Sequence, residues 1–456
     1  MSANLPTVSL ATAAPAPRSP ERHATRLDSA ELAARFAAIR RQTLALCAPL
    51  SPEDCVIQPM ADASPAKWHL AHTTWFFEAF VLSAQPAPPP AFDPAFEFLF
   101  NSYYETVGPR VERPRRGMLS RPGLDRVHAY RAAIDDHVLR ALDRGALDAA
   151  ALGVLELGLH HEQQHQELIL TDAKYMLGTQ PLQPAYRAFA RARPADPAPL
   201  AWHAEPGGTI EIGAPGTTGP TGPTGTAGAA DPGFAFDNER PRHRVLIAPY
   251  RIASRPIANA EVLAFIADGG YRDHRLWLSD GWHVVKTEQW EAPLYWIRRD
   301  GDHAIYELAG VRAVDPGETA CHLSLYEADA IARWLGARLP TEAEWEHAAR
   351  AAALHGNFAE AGRLHPDRAE PTAAAALGQL FGDVWEWTQS SYSPYPGFRP
   401  LAGALGEYNG KFMSGQNVLR GGSCFTPAGH IRRSYRNFFP PNARWQMTGV
   451  RLATDD

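Results

Sequence analysis

Cysteine is scarce in this chain. Four occur among 456 residues, Cys47, Cys55, Cys321 and Cys424, with no CxxC pair and no dense framework. A disulfide-stapled fold is therefore not expected, and a reduced cytoplasm fits. Long apolar runs are also missing: none approaches the ~18 residues of a membrane span. Charge of one sign is not in excess. A formal net charge of −6 gives no pull toward nucleic acid or an anionic membrane surface. The N-terminus, Met1 to Pro20, has neither a basic start nor a continuous apolar segment. Residues 1–25 thus read as a disordered tail and not as a signal peptide.

What is present describes a water-soluble globular protein, with 45% hydrophobic and 21% charged residues. The length is more than one ordinary core can use, so two or three domains are expected. The first helix starts at Asp28, with Glu31 placed for a capping box. Leu32, Phe36, Ile39 and Leu46 then keep helical spacing. A second helix starts at Ser64-Pro65 as N-cap and first position. Trp68, His72, Trp75, Phe76 and Ala79 share its inner stripe. A Pro-rich run, Pro86 to Pro94, leads into a long crossover carrying Tyr103, Tyr104 and the arginines 110, 113, 115, 116 and 121. The third helix spans about Gly123 to Arg144, and the fourth ends near Gly178. Four amphipathic helices with one long crossover predict a four-helix bundle over 26–180.

The fourth helix carries His161-Glu-Gln-Gln-His165. Histidines four apart on a helix stand one turn apart on one face, where a single metal can take both. Two aligned imidazoles on an apolar stripe are costly unless something holds them. The second helix offers His69 and His72. His72 lies on the buried stripe, whereas His69 is rotated about 60° away, three residues at ~100° each. His72 is therefore the better third ligand. The same stretch spells the HExxH of zinc proteases with Glu162 as base. The best third histidine lies upstream on another helix, which argues against that reading. Glu167 reads as a supporting residue and not as a ligand.

Residues 181–200 read as a linker or strap. From Trp202 to the C-terminus the texture is that of a second, loop-rich domain over 201–456. It has short β-like runs at 208–213 and 243–247, and helices at Leu325–Leu335 and from Pro340. The Gly-triplet stretch 216–228 reads as a surface loop, too short for a collagen helix.

Taken together, these segments resemble known families. His72 with His161-Glu-Gln-Gln-His165-Gln-Glu167 resembles the three-histidine pattern of DinB-like bundles. Arg338-Leu-Pro-Thr-Glu-Ala-Glu-Trp-Glu346, Gly382-Asp-Val-Trp-Glu-Trp-Thr388, Leu419-Arg-Gly-Gly-Ser-Cys424 and Gly449-Val-Arg-Leu452 resemble the formylglycine-generating-enzyme (sulfatase-modifying factor) fold. With Tyr408-Asn-Gly-Lys-Phe412 and Ser434-Tyr-Arg-Asn-Phe-Phe439, the combination resembles the ergothioneine-biosynthesis sulfoxide synthases over roughly 28–454. The resemblance implies an α+β multidomain protein. A DinB-like four-helix bundle would precede a loop-rich α/β, C-type-lectin-like domain.

The resemblance also implies a non-haem Fe(II) enzyme with His72, His161 and His165 as ligands. Such an enzyme joins the imidazole carbon of hercynine (N-α-trimethylhistidine) to a cysteine sulfur with O2, leaving a sulfoxide. Three neutral imidazoles leave about three of six positions for an imidazole, a thiolate and O2. Members that use γ-glutamylcysteine carry Asn-Trp-Asp where this chain has Asn437-Phe438-Phe439. Tyr103-Tyr104 resembles the cysteine-using members, in which a tyrosine faces the oxygen site and suits proton donation. Free cysteine is thus the expected donor, with Arg113 and Arg116 for its carboxylate. Gln164 and Asn437 are expected to hold hercynine, and Tyr392 and Tyr395 to lie near its trimethylammonium. A structural Ca2+ ion, if the chain holds one, is expected in the C-terminal domain. Formylglycine-type oxidation needs a cysteine pair, and Cys424 stands alone among those motifs. γ-Glutamylcysteine as donor, histidine as acceptor (as in ovothiol-type synthases), and a DinB-like thiol transferase or non-catalytic binding protein remain open alternatives.

Overall fold

The computed structural model describes residues 28–189, 195–215, 233–299, 301–370 and 376–455. The expected tail 1–25, the Gly-triplet stretch 216–228 and residues 190–194 of the linker lie outside them. The N-terminal helices are α1 Ser29–Cys47, α2 Ala66–Phe77, α3 Ala95–Phe100, α4 Leu124–Asp143 and α5 Ala149–Thr179. α1, α2, α4 and α5 form a four-helix bundle, and α3 sits in the long crossover against α2. Asp28 caps α1 by accepting from Ala30 N at 3.0 Å. Asp148 caps α5 by accepting from Ala151 N at 2.8 Å.

The start of α2 departs from the sequence reading. Ser64 does not cap it: its N–H donates to Asp172 Oδ2 at 2.8 Å, and its hydroxyl accepts from Arg116 Nη1 at 2.9 Å. The cap residue is Pro65, whose carbonyl accepts from Trp68 N at 2.9 Å. α2 runs on into a π-helical turn at Glu78–Leu82. Such turns recur near functional sites.

Glu162 lies on the bundle side of α5, inside a buried charge cluster. It accepts from Arg40 Nη1 at 2.9 Å, Arg131 Nη2 at 2.9 Å and Thr43 Oγ1 at 2.6 Å. Burial, the largest influence, works to raise its pKa, but Arg40 and Arg131 hold it down at about 2. A carboxylate so committed is no general base, which removes the zinc-protease reading. Its contribution to stability is present above its ordinary value near 4.5 and lost as pH falls through about 2. Glu162→Gln strands the buried Arg131 guanidinium, while Arg40 keeps Asp135 at 2.6 Å, and should cost about 3–5 kcal/mol. Urea unfolding at pH 7 and below pH 4 checks this: the difference between wild type and variant should shrink on acidification.

The C-terminal part contains β1 Trp202–Glu205, β2 Gly208–Ile212, β3 His243–Ile247, β4 Tyr250–Ala253, β5 Trp296–Arg299, β6 Asp302–Glu307 and β7 Gly310–Ala313. After them come β8 Trp385–Ser391, β9 Asn417–Arg420, β10 Asn437–Phe439, β11 Thr448–Gly449 and β12 Ala453–Asp455. Its helices are α6 Asn259–Ala267, α7 Ser279–Thr287, α8 Leu325–Trp334 and α9 Glu342–Ala348. Among the described residues these strands make four small sheets, ordered β1-β4-β12, β10-β9-β8-β11, β2-β3 and β5-β6-β7. α8 and α9 both start with capping boxes, Ser324 with Glu327 and Thr341 with Glu344. The charges in the quoted motifs pair with one another. Arg338 Nη2 meets Glu344 at 2.8 Å, Arg420 Nη2 meets Glu346 at 2.7 Å, and Arg451 Nη2 meets Glu386 at 2.8 Å. These charges thus serve the scaffold.

α5 is the common wall of the two domains. The sequence suggests one buried stripe, yet 21 of its 31 residues are buried, because the C-terminal domain covers the side that faces away from the bundle. Glu167 fastens the contact, accepting from Trp385 Nε1 and Ser423 Oγ at 2.7 Å each and from Thr426 Oγ1 at 2.8 Å. Lys174 Nζ lies 2.7 Å from His322 Nε2. Tyr186, in the strap, donates its N–H to Leu308 O at 2.8 Å and its hydroxyl to Leu46 O in the bundle. Among the described residues no helix is long and apolar enough to cross a membrane.

Candidate metal centre

His72, His161 and His165 converge. One ring nitrogen of each lies within 4.8 Å of the others, and all three rings are buried. His72 Nε2 and His161 Nε2 are 3.2 Å apart. A separation of about 3 Å is what two ligands at right angles have on a metal with bonds of roughly 2.0–2.1 Å. His72 donates from Nδ1 to Phe100 O at 2.6 Å, so its Nε2 carries the free lone pair. His165 Nδ1 faces His69 Nδ1 at 2.8 Å, which leaves its Nε2 free. Burial drives all three pKa values down, that of His161 to about 3, so the imidazoles are neutral donors at pH 7. A metal supplies the partner these lone pairs otherwise lack, so the donor set fits a metal ion.

The local sequence explains the convergence. Every residue of α2 from Ala66 to Phe77 is buried. Gly158 lets α5 approach it: a Cβ there would lie 2.5 Å from Phe77 Cε1 and 2.9 Å from Phe76 Cε1. Phe76 in turn packs on the His161 ring at 4.7 Å. Gly158→Ala should therefore cost about 1–3 kcal/mol by overpacking. It should also weaken metal binding by spreading His72 from His161. Thermal melts with and without metal measure both, and an unchanged metal-induced shift would refute the second effect.

The crossover forms one wall. Asn101 folds it, donating to Tyr104 O at 3.0 Å and accepting from Tyr104 N at 3.1 Å. Tyr104 is buried, only the Tyr103 side chain among the described residues bears on its hydroxyl, and burial, the largest cause, pushes its pKa well above the usual tyrosine value. Its ring lies 5.7 Å from Trp75, which lies 5.7 Å from His72. Tyr103 is half-buried beside it at 4.7 Å and meets Phe412 at 5.3 Å. Arg113 is exposed and engages Gln58 only through its backbone carbonyl. Arg116 is buried 3.4 Å over the Trp68 ring, which stacks on His72 at 4.6 Å. Its guanidinium donates to the hydroxyls of Ser64 and Ser102 and has no carboxylate in ion-pair contact among the described residues. Burial and Arg113 oppose its charge, yet a guanidinium stays protonated in a protein. It is a buried cation in want of an anion.

The C-terminal domain forms the opposite wall. Gln164 donates to Tyr435 Oη at 2.7 Å and accepts from Tyr408. Tyr435 lies 2.9 Å from His430 Nε2, and the Tyr408 ring lies 5.6 Å from that of His161. Glu407 accepts from Glu105 N at 3.0 Å and Thr106 N at 2.9 Å, and Lys411 donates to Tyr103 O, so this segment clamps the Tyr103-Tyr104 loop. Tyr408 and Tyr435 stand inside segments that the sequence reading treated only as family markers. Glu407 and His430 carry no local signal.

Other expected contacts fall farther out. Asn437 accepts from Phe438 N at 2.9 Å with its own side chain. Phe438 stacks on Tyr392 at 4.0 Å and meets Phe412 at 6.1 Å, so it reaches Tyr103 through Phe412. Phe439 packs on Trp445 at 6.1 Å. Tyr392 donates no face to the centre: its hydroxyl accepts from Asn238 at 2.9 Å, and the Arg436 guanidinium lies 5.1 Å over its ring. Arg436 also covers Tyr395 at 4.0 Å, and Tyr395 belongs to a separate apolar cluster with Ile210, Ile212 and Ile247. The arrangement gives neither ring a place beside a trimethylammonium group. The C-terminal domain gathers Glu307, Glu318 and His365, but Arg312 pairs with both carboxylates and occupies the middle of that group. Both carboxylates of that group are thus engaged by the chain's own guanidinium.

Two family models match the chain: the DinB superfamily over residues 35–169, and the sulfatase-modifying factor enzyme 1-like domain over 206–375 and 360–456. The chain is 35% identical to hercynine oxygenase from Mycolicibacterium thermoresistibile, covering 93% of this chain and 95% of that protein. It is 34% identical to hercynine oxygenase from Mycobacterium tuberculosis, covering 93% and 99%. The chain belongs to the hercynine oxygenase family. That membership makes it an oxidoreductase with a DinB-like helical domain and a formylglycine-generating-enzyme-like domain. Ergothioneine biosynthesis protein 1 of Schizosaccharomyces pombe is 29% identical over 48% of this chain and 27% of its own length.

Proposed function

We propose that the chain is a non-haem Fe(II) sulfoxide synthase of ergothioneine biosynthesis. It joins the imidazole carbon of hercynine to the sulfur of cysteine: hercynine, cysteine and O2 give hercynylcysteine sulfoxide and water. The observation that carries this reading is the set of three buried, neutral imidazoles with no carboxylate among them. Such a set leaves positions for substrates on one ion and lets the thiolate bring the anionic ligand. Iron(II) held there would supply the redox chemistry with O2 that no side chain offers.

The chain's own groups divide the remaining work. His72, His161 and His165 hold the metal. Gln164, fixed between Tyr408 and Tyr435, presents its carboxamide to the imidazole of hercynine. Asn437 is the second residue assigned to hercynine. Arg116 receives the carboxylate of cysteine, and exposed Arg113 adds field at the entrance. Tyr104 holds a proton at a buried hydroxyl whose one neighbouring side-chain partner is Tyr103. Phe438 and Phe439 bring no carboxylate to meet the polar end of a longer donor. An omission series tests the proposal. O2 uptake above background should require Fe(II), hercynine and cysteine together, and undiminished turnover after iron removal would refute it.

A further inference from the structure

We propose that His69 and Asp172 are positioning residues for the metal centre, a relay that dictates which nitrogen His165 offers. The inference rests on the metal reading above. His69 sits on α2, is as buried as the ligands, and yet is not one of the converging three. Its Nδ1 lies 2.8 Å from His165 Nδ1, and its Nε2 lies 3.1 Å from Asp172 Oδ2.

Two imidazole nitrogens facing one another leave the proton's owner undecided. The carboxylate decides it. Asp172 Oδ2, which already accepts from Ser64 N, faces His69 Nε2 as an acceptor, so the hydrogen of His69 sits on Nε2. His69 Nδ1 is then an acceptor, and His165 Nδ1 must carry the hydrogen between them. That places the lone pair of His165 on Nε2. Asp172 is itself held, since its Oδ2 also accepts from Ser64 N at 2.8 Å. The three ligands are thus supported in three ways. His72 is locked by the Phe100 carbonyl, His165 by the His69–Asp172 relay, and His161 Nδ1 has no partner. Carboxylate support behind a ligating imidazole orients the ring and raises its basicity. Here it acts through an intervening imidazole, contributed by the helix that also supplies His72.

Two measurements test this. In the metal-free protein, 15N NMR of the histidine side chains should show His69 protonated at Nε2 and His165 at Nδ1; the reverse tautomers would overturn the relay without any mutation. Asp172→Asn and His69→Gln should each weaken Fe(II) or Co(II) affinity by roughly 10–100-fold in anaerobic chelator competition. Each should also shift the visible absorption of the Co(II) form. Wild-type affinity in both variants, with His72→Ala abolishing binding, would sink the relay alone. Wild-type affinity in His72→Ala as well would sink the metal reading beneath it.

Discussion

His72→Ala should bind no stoichiometric Fe(II) and should form no product. The ring contributes one of three lone pairs at the centre, and its removal leaves two imidazoles one turn apart on a single helix. Nothing nearby replaces it: His69 is committed to His165 and Asp172. The loss also frees the Phe100 carbonyl that anchors the crossover carrying Tyr103 and Tyr104. His72→Gln keeps a polar side chain of similar reach and serves as the folded control. Metal content by elemental analysis and secondary structure by circular dichroism separate a lost site from a lost fold. A folded His72→Ala that retains full iron would contradict the three-ligand centre.

The second large effect concerns the sulfur donor. Wild-type enzyme should prefer cysteine over cysteamine, which lacks the carboxylate, and over γ-glutamylcysteine, which needs a polar partner where this chain has Phe438-Phe439. A hydrogen bond to a charged group is worth about 1.5–3 kcal/mol. Arg116→Gln should therefore cost about 10–150-fold in kcat/KM for cysteine while barely changing that for cysteamine. The cost should appear mostly in KM, since the carboxylate is remote from the reacting atoms. Arg113→Gln, at an exposed position, should change little, because screened charges contribute little. An Arg116→Gln enzyme with undiminished preference for cysteine over cysteamine would remove this arginine from donor binding. A strong wild-type preference for γ-glutamylcysteine would overturn the donor assignment itself.

Much of the bundle is legible in the sequence because its signals are local. Asp28 announces a helix start through a short-range hydrogen bond, and Val127, Tyr130, Ile134 and Val138 keep the helical period. The same local logic misplaces the cap of α2. Ser64 is drawn away by Asp172 and Arg116, residues far off in the chain. Periodicity separates His72 from His69, but for an incomplete reason. The whole of α2 is buried, so the stripe does not distinguish inside from outside; it distinguishes the side facing His161 from the side facing Asp172.

The far side of α5 has no signature of its own. In the sequence Glu167 is only a supporting residue, Gln164 gains a role through the resemblance alone, and Lys174 carries no signal; their partners Trp385, Ser423, Tyr435 and His322 appear only in the fold. Polar residues on a buried face are intelligible only with their partners, and here the partners belong to the other domain. The aromatic rings of Tyr392 and Tyr395 show the converse. Each suits a cation by its chemistry, and the cation turns out to be the chain's own Arg436.

The central claim is that these walls enclose an oxidative carbon–sulfur coupling of hercynine and cysteine. The most direct measurement is the mass of the product formed by Fe(II)-loaded enzyme from hercynine, cysteine and 18O2, with O2 uptake followed in parallel. The account predicts one O2 consumed per product and a mass equal to hercynine plus cysteine plus one oxygen, less two hydrogens. That oxygen should carry the 18O label. A thioether without oxygen, cystine alone, or O2 consumption with unchanged hercynine would contradict it.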